Sequence, residues 1–408
     1  MTALSPVRRR EILQSLRQGT VPDGNLDVLA VGIDLFATTI DEDLDAVASG
    51  GAIFKAVRGE YGSGKTFFSR WVEQRAMQRG LAVAEVQISE LETPLHKLET
   101  VYRRTIEELR TSAFAKSAFR NVIDAWLYGI EEDAATAAGA DEATAEQIAA
   151  LLEQRLASVA TATPVYPMVL RAYRDAVDRD DAATADALIA WLGGQPHVGA
   201  AAKRVAGVRQ DVDHFLAMGF LQGLLAVLKG ARHPGLVLVI DEVETLQRMR
   251  SDSRAKALNA LRQWIDELDS GRYPGLYLII TGTPAFYDGR LGVQALPPLA
   301  QRLQTDFGTD ARFDNPRAPQ IRLTGSILIA SSKSASAFVT STPMDRLSRT
   351  ESARWSATLT CATLPMLLPA SSVGKSGYPH ASSSRSLSRT YWTESINSPT
   401  LIHANTIH

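Results

Sequence analysis

The chain has 408 residues, of which 45% are hydrophobic and 22% are charged, so it is long enough for more than one domain and has an ordinary globular composition. Its formal net charge of −2 argues against a general attraction to nucleic acid or membrane, and no apolar run is long enough to span a bilayer. The one cysteine, Cys361, excludes an internal disulfide, and no apolar block follows the N-terminal arginines, so we expect a cytoplasmic protein without a secretion signal.

The first element with a chemical signature is a glycine-rich loop. Residues 59–66 read GEYGSGKT and match the Walker A pattern, G-x-x-x-x-G-K-[ST]. The apolar run 52–58 before the loop favours a buried strand, and the residues after it place apolar side chains on one helical face up to a stop at Gly80. A strand, a loop and a helix in that order are the context that this motif requires.

The geometry of such a loop suits phosphate. Glycines allow backbone N–H groups to point inward at phosphate oxygens, and the start of the helix adds partial positive charge. Lys65 is predicted to reach the β- and γ-phosphates of ATP, and Thr66 to ligate Mg²⁺. The alternative is a glycine turn that only joins strand to helix, but such a turn does not require a lysine followed by a threonine. The residues expected to bind the nucleotide are Gly59, Glu60, Tyr61, Gly62, Ser63, Gly64, Lys65, Thr66 and Phe67.

A second strand signal ends in two acidic residues. Residues 236–240 are all apolar and predict a strand buried on both faces. Asp241 and Glu242 follow at its carboxyl end, where open α/β sheets bind ligands. Asp241 is the Walker B candidate that helps to hold Mg²⁺, and Glu242 is the candidate that orients or deprotonates the attacking water. The alternative is a solvated acidic turn. Glu244 is interpreted as a surface residue on the following helix.

Another apolar run, residues 276–280, ends in polar residues. In P-loop ATPases with a catalytic glutamate, the strand beside the Walker B strand often ends in a polar side chain near the γ-phosphate. Thr281 is the first candidate for that position and Thr283 the second, while the alternative is a threonine that caps the next turn. Arg302, on a predicted helix, is a candidate arginine finger for a neighbouring subunit. A solvated surface arginine is the alternative.

The predicted strands are separated by helical pattern, which indicates a P-loop NTPase of the α/β class with a parallel five-stranded sheet. A catalytic glutamate on the Walker B strand usually accompanies the strand order 5-1-4-3-2, so we expect that order from the class. The predicted strands are residues 52–58, 81–89, 235–241, 275–281 and 319–324. The predicted domains are an ATPase domain in two parts, residues 1–93 and 231–325, with a large helical insertion at 94–230 and a serine-rich tail at 326–408.

Taken together, the motifs resemble a known family. The stretches KAVRGEYGSGKTFF, GLVLVIDEVETLQR, YLIITGTPAFYDG and LPPLAQRL are similar to those of BrxD, the ATP-binding protein family of bacterial BREX phage-defence systems, over about residues 5–325. More broadly, they resemble AAA+ ATPases of the origin-recognition or STAND kind. The resemblance implies ATP binding and hydrolysis within a defence complex, with other BREX proteins as partners. It does not supply a mechanical role.

The resemblance stops near Gly325, where the composition changes. Residues 1–325 carry 36 Lys and Arg against 42 Asp and Glu, whereas residues 326–408 carry 7 against 3 and include 19 serines. The family should continue there into a helical lid over the nucleotide. One interpretation is a disordered low-complexity tail, and the other, which we favour, is a shifted reading frame, because the change is abrupt and aromatic residues such as Trp355 and Trp392 are present. Loss of the lid would weaken closure over the nucleotide and its hydrolysis.

The sequence therefore predicts a cytoplasmic Mg²⁺-dependent ATPase in which water attacks the γ-phosphate. The alternatives are a nucleotide-dependent scaffold with little turnover and a DNA-remodelling motor, although no basic stripe favours the motor. The predicted catalytic residues are Lys65, Glu242, Thr281 and Arg302, and the predicted metal ligands are Thr66 and Asp241. The sequence leaves open a homo-oligomer and a contact with DNA, and no membrane partner is expected.

Overall fold

The computed structural model describes residues 5–18, 20–22, 24–30 and 33–324 of the chain. These residues form a five-stranded parallel sheet with helices packed on both faces. This mixed α/β architecture is compatible with the predicted P-loop NTPase. The predicted serine-rich tail, residues 326–408, lies outside the described residues. None of the helices in the described part is long and apolar enough to cross a bilayer.

The strands are β1 (Ile53–Arg58), β2 (Ala82–Gln87), β3 (Leu236–Asp241), β4 (Leu276–Gly282) and β5 (Gln320–Arg322). All neighbouring strands pair in parallel, in the order β2-β3-β4-β1-β5. Read from the opposite edge this is 5-1-4-3-2, so the predicted strand order is confirmed. The fifth strand has only three residues and is shorter than its apolar pattern indicates.

The α-helices of the described residues are α1 (Pro6–Arg17), α2 (Asp34–Ala48), α3 (Lys65–Gln78), α4 (Leu98–Glu107), α5 (Phe119–Ala138), α6 (Ala145–Ala162), α7 (Val165–Asp178), α8 (Ala182–Leu192), α9 (Ala200–Val205), α10 (His214–Gly230), α11 (Ser251–Asp269), α12 (Pro284–Asp288) and α13 (Pro297–Arg302). Short 3₁₀ helices span Leu26–Val28, Val243–Arg248, Val293–Ala295 and Ala311–Phe313. Helices α4 to α10 lie between β2 and β3 along the chain, in the segment where the sequence predicts a helical insertion.

The sheet separates two hydrophobic cores. In β3, Val237 and Val239 point to one face, where α2 and α3 pack, while Leu238 and Ile240 point to the other, where α4 to α11 contribute apolar side chains. Successive strand residues alternate between faces, and both faces are covered, so every residue of β3 is buried. Burial on both sides accounts for the continuous apolar run in the sequence.

Aromatic packing holds the helices between β2 and β3 together. The rings of Tyr102, Tyr166 and Trp191 meet Phe220 of α10 edge-on, with ring centroids 5.8, 5.1 and 5.6 Å away. Gly223 lets α10 approach closely, because a Cβ atom there would lie 2.7 Å from the Tyr166 ring. The aromatic cluster therefore fixes α10, which leads directly into β3.

The outer edge of β2 is partly covered by the chain itself. Val83 exchanges two backbone hydrogen bonds of 2.9 Å with Arg110 in an isolated antiparallel bridge. The backbone groups of Val83 are thus used on the side that faces away from β3.

A buried lysine ties β1 to its surroundings. Lys55 Nζ donates hydrogen bonds to the carbonyls of Pro316 at 3.1 Å and Ala318 at 3.0 Å, and it lies 3.7 Å from Asp43 of α2. The hydroxyl of Tyr277 in β4 donates to Asp43 at 2.8 Å. Burial lowers the pKa of Lys55 and raises the pKa of Asp43, and each charge partly offsets the effect on the other. The ion pair therefore links α2, β1, β4 and the segment before β5.

Replacing Lys55 by Met is expected to destabilise the fold by about 3 kcal/mol, because Asp43 would lose its cation while it remains largely buried. Chemical denaturation at pH 7 measures the change in the free energy of unfolding. Lys116→Met, at an exposed position, is the matched control and is expected to change it by less than about 0.5 kcal/mol. A Lys55→Met variant as stable as this control would contradict the assigned role of the ion pair.

Candidate functional site

The glycine-rich loop connects β1 to α3, and the helix begins at Lys65. Gly62 and Gly64 have φ angles of 78° and 93°, a left-handed conformation that other residues adopt rarely. At Gly59, a Cβ atom would lie 2.2 Å from the Ser63 hydroxyl oxygen. The loop therefore folds tightly on itself, and side chains at these positions would prevent that conformation.

Lys65 lies folded over the loop. Its Nζ donates to the carbonyl of Gly59 at 2.9 Å and to that of Glu60 at 3.2 Å, and it lies 5.3 Å from the centre of the Tyr61 ring. The side chain is 9% exposed, whereas Thr66, the next residue, is exposed. The ammonium group is thus held within reach of anything that binds inside the loop.

Asp241 and Thr281 meet at the carboxyl ends of neighbouring strands. The Thr281 hydroxyl donates to Oδ1 of Asp241, and the amide of Glu242 donates to the same oxygen at 2.9 Å. Both side chains continue the alternation of Val239 and Ile279, so they lie on the face of the sheet that α3 covers. The structure therefore brings the predicted Walker B acid and the first sensor candidate into direct contact.

Backbone hydrogen bonds join this pair to the glycine-rich loop. The amide of Gly59 donates to the carbonyl of Gly282 at 3.1 Å, so the loop begins beside the residue that follows Thr281. Because β4 lies between β1 and β3, and neighbouring strands are about 4.8 Å apart, the strands that carry the loop and Asp241 are about 10 Å apart. The loop, Thr281 and Asp241 therefore lie at the same end of the sheet, where these parallel strands have their carboxyl ends.

Glu242 follows β3 in a strained backbone conformation. Its φ and ψ angles are 59° and 41°, and its side chain is exposed. For a residue other than glycine, this left-handed conformation costs about 1–2 kcal/mol, and such strain concentrates at functional sites. The exposure of Glu242 leaves its carboxylate accessible to solvent at the same edge of the sheet.

The interpretation of Glu244 as a surface residue is wrong. It lies in the 3₁₀ helix Val243–Arg248, and its side chain is 7% exposed. Its own amide is close enough to lower its pKa, but neither carboxylate oxygen accepts a hydrogen bond of normal geometry from the described residues. Burial raises the pKa of Glu244, and the charge of Lys65 partly offsets that rise. The periodicity of an ordinary α-helix did not apply, because the chain turns at the left-handed Glu242 and continues as a 3₁₀ helix.

The remaining two predicted residues make other contacts. Thr283 is buried immediately before α12, and its side chain makes no capping hydrogen bond to that helix. Arg302 Nε donates to Asp266 of α11, and Arg302 Nη1 donates to the carbonyl of Pro298 at 2.8 Å. The described hydrogen bonds of Arg302 thus go to α11 and to its own helix, and not to the glycine-rich loop.

A group of charged residues near Asp241 was missed by the sequence analysis. Glu73 of α3 is 1% exposed and accepts a hydrogen bond from Arg110 at 2.9 Å, while Arg70 lies 3.9 Å from Glu85 of β2. Burial is the main cause that raises the pKa of Glu85 to about 7, and the charges of Glu73 and Asp241 add to it. These residues come from separate segments, so no local motif could have indicated the cluster.

The donor atoms present suit a phosphate group and a metal ion that arrives with it. The Ser63 hydroxyl is buried and has no hydrogen-bond partner among the described residues, so it is available to a ligand inside the loop. In the part of the chain that the structure describes, no group of three or more His, Cys, Asp or Glu residues is placed to hold a metal by itself. Mg²⁺ usually takes one or two protein oxygens and completes its shell with phosphate and water. Thr66 and Asp241 are the residues predicted to supply those protein oxygens.

Comparison with known families gives one match. The family model described as BREX system ATP-binding protein BrxC/D matches residues 4–327 of the chain. The match includes the whole sheet and the loop, and it ends close to the change in composition after Gly325. A search of curated proteins gave no significant match.

Replacing Glu85 by Gln is expected to make the protein more stable at pH 8 than the wild type. The unfolded chain releases this proton near pH 4.5 and the folded protein releases it near 7, so the folded state binds more protons in between. Wild-type stability therefore falls as the pH rises across that window, by up to about 3 kcal/mol, and Glu85→Gln removes this loss. Thermal unfolding at pH 5 and pH 8 measures the difference.

The exposed Glu90, five residues further along the chain, provides the control for this measurement. Glu90→Gln is expected to change stability by less than about 0.5 kcal/mol at either pH. If Glu85→Gln shows the same loss of stability between pH 5 and pH 8 as the wild type, the assigned ionisation of Glu85 is wrong.

Proposed function

Because the chain belongs to the family of BREX system ATP-binding proteins BrxC/D, we propose that it binds Mg²⁺-ATP at residues 59–67 and hydrolyses it to ADP and phosphate. The supporting observation is a pair of hydrogen bonds at the carboxyl ends of the strands. The Gly59 amide donates to the carbonyl of Gly282, and the Thr281 hydroxyl donates to the Asp241 carboxylate. A glycine-rich loop with its lysine, and an acid on a nearby strand, are the parts that P-loop nucleotide hydrolases use.

In this proposal the loop and Lys65 hold the triphosphate. The amides of the loop and the start of α3 provide donors and partial positive charge for phosphate oxygens. Lys65 leaves the carbonyls of Gly59 and Glu60 and binds the β- and γ-phosphates. Thr66 and Asp241 would hold Mg²⁺, which, when bound, neutralises the charge that develops on the phosphates.

The chemical step is assigned to residues at the ends of β3 and β4. Glu242 orients the attacking water and accepts its proton as ADP leaves. Thr281 fixes the orientation of the Asp241 carboxylate through the hydroxyl hydrogen bond, and its oxygen can still accept a bond from water. Thr283 is the reserve candidate for the same position.

Arg302 would serve a neighbouring copy of the chain. To reach another subunit it must leave Asp266, so an arginine-finger role requires an assembly that competes successfully for the guanidinium. We propose other BREX proteins as partners, an AAA+-like homo-oligomer as the assembly, and the cytoplasm as the location. A DNA-remodelling motor is the further alternative, and it predicts turnover that DNA stimulates.

Replacing Lys65 by Ala is expected to weaken binding of ATPγS with Mg²⁺ by about 10- to 100-fold, because a charged donor to phosphate is lost. Isothermal titration calorimetry measures the affinity, and circular dichroism checks the fold, since Lys65 also binds the carbonyls of its own loop. The exposed Lys116→Ala is the control and should bind as the wild type does. Unchanged affinity in Lys65→Ala would refute the proposed binding site.

Replacing Glu242 by Gln is expected to lower kcat by about 10²- to 10⁴-fold while ATP still binds, because the group that accepts the proton is lost. Single-turnover hydrolysis and nucleotide affinity are measured on the same samples, with Glu90→Gln as the control. A nucleotide-dependent scaffold predicts negligible turnover already in the wild type. Equal turnover in the wild type and Glu242→Gln would contradict the role given to Glu242.

A further inference from the structure

Glu244 carries a buried carboxylate that is left unpaired by the described residues. Both carboxylate oxygens are closed to solvent and accept no hydrogen bond of normal geometry from the described residues. Buried carboxylates are almost always hydrogen-bonded or paired, because the loss of hydration is unfavourable. Glu73, which is similarly buried, shows the usual solution, since it accepts a hydrogen bond from Arg110 at 2.9 Å. The ion pairs of the fold therefore do not account for Glu244.

Two side chains whose charge interactions involve Glu244 donate their hydrogen bonds to other groups. Burial raises the pKa of Glu244 and the charge of Lys65 partly offsets that rise, but the Lys65 Nζ donates its hydrogen bonds to the carbonyls of Gly59 and Glu60. Burial raises the pKa of Tyr287 and the charge of Glu244 adds to that rise, but the Tyr287 hydroxyl donates to the carbonyl of Val57 at 3.4 Å. Among the described residues no side chain pairs with Glu244, so its oxygens are available to accept hydrogen bonds from a ligand.

The charges around Glu244 favour a ligand that brings a cation. Burial is the main cause of the raised pKa of Glu244, and the charges of Asp241 and Glu242 add to it, so three carboxylates lie near one another at this end of the sheet. In the proposed function Lys65 turns to a phosphate, and a cation that binds with the phosphate would then offset the charge of Glu244. The carboxylates are not arranged as direct ligands of one metal ion, so the contact would be made through water.

We propose that Glu244 is a positioning residue on the metal side of the nucleotide site, where its carboxylate accepts hydrogen bonds from water bound to Mg²⁺. The inference rests on the proposed function. Because the carboxylate is enclosed, it must become accessible to water when the nucleotide and the metal bind. Residues that hydrogen-bond to the ligands of a metal, and not to the metal itself, orient those ligands. Mutation of such a residue typically weakens metal binding by about 10- to 100-fold.

The test uses the full chain with Glu244→Gln, which keeps the size of the side chain and removes its charge, and Glu90→Gln as the matched exposed control. The affinity for ADP is measured in the presence of EDTA, which removes the metal. The affinity of the ADP complex for Mn²⁺ is then measured by electron paramagnetic resonance, which detects the free Mn²⁺. We expect Glu244→Gln to bind ADP in EDTA as the wild type does and to bind Mn²⁺ about 10- to 100-fold more weakly. Without ligands, its unfolding temperature should equal or exceed that of the wild type, because an unpaired buried charge has been removed.

Two results would overturn the inference. One is unchanged Mn²⁺ affinity in Glu244→Gln, and the other is an equal loss of ADP affinity with and without metal together with a lower unfolding temperature, which indicates a structural role. If Glu244→Gln does not fold, Glu244→Asp replaces it, since the shorter acid keeps the charge and should lose part of the Mn²⁺ affinity. A wild-type chain that binds no ADP would instead contradict the proposed function itself.

Discussion

The hydrogen bond from the Gly59 amide to the Gly282 carbonyl joins the glycine-rich loop to the strand that presents Thr281. The parallel pairing of β4 with both β1 and β3 places the carboxyl ends of all three strands at the same end of the sheet. Thr281 then reaches Asp241 across a single strand spacing. The strand order therefore leaves a single strand between the loop and the acid, and that strand carries Thr281, which contacts Asp241.

Acidic side chains lie close to Asp241 in the same part of the sheet. Glu85 and Glu244 are both buried enough for their pKa values to rise, and the charge of Asp241 contributes to each rise. A fold selected only for stability would place apolar residues at such positions. Strain at Glu242 adds a second unfavourable term at the same place. The unfavourable terms accumulate at the edge where the family's ATP site is proposed, as is common at functional sites.

Most of the sheet could be predicted from the sequence, and part of its surroundings could not. The strand that ends in Asp241 is visible because burial on both faces requires an uninterrupted apolar run, and the strand order followed from the class of the motif. Glu244 was misplaced because a left-handed residue and a 3₁₀ helix broke the helical periodicity. The bond from Arg302 to Asp266, and the approach of Glu85 to Asp241, join residues distant in the chain. Contacts of this kind depend on packing, which periodicity does not encode.

The bridge between Val83 and Arg110 has a consequence for assembly. An exposed sheet edge is a template on which another polypeptide can add a strand, and short blocks of this type remove the template. At Val83 the bonding groups that a foreign strand would need are already consumed. A second polypeptide therefore cannot extend the sheet at Val83 unless it first displaces Arg110.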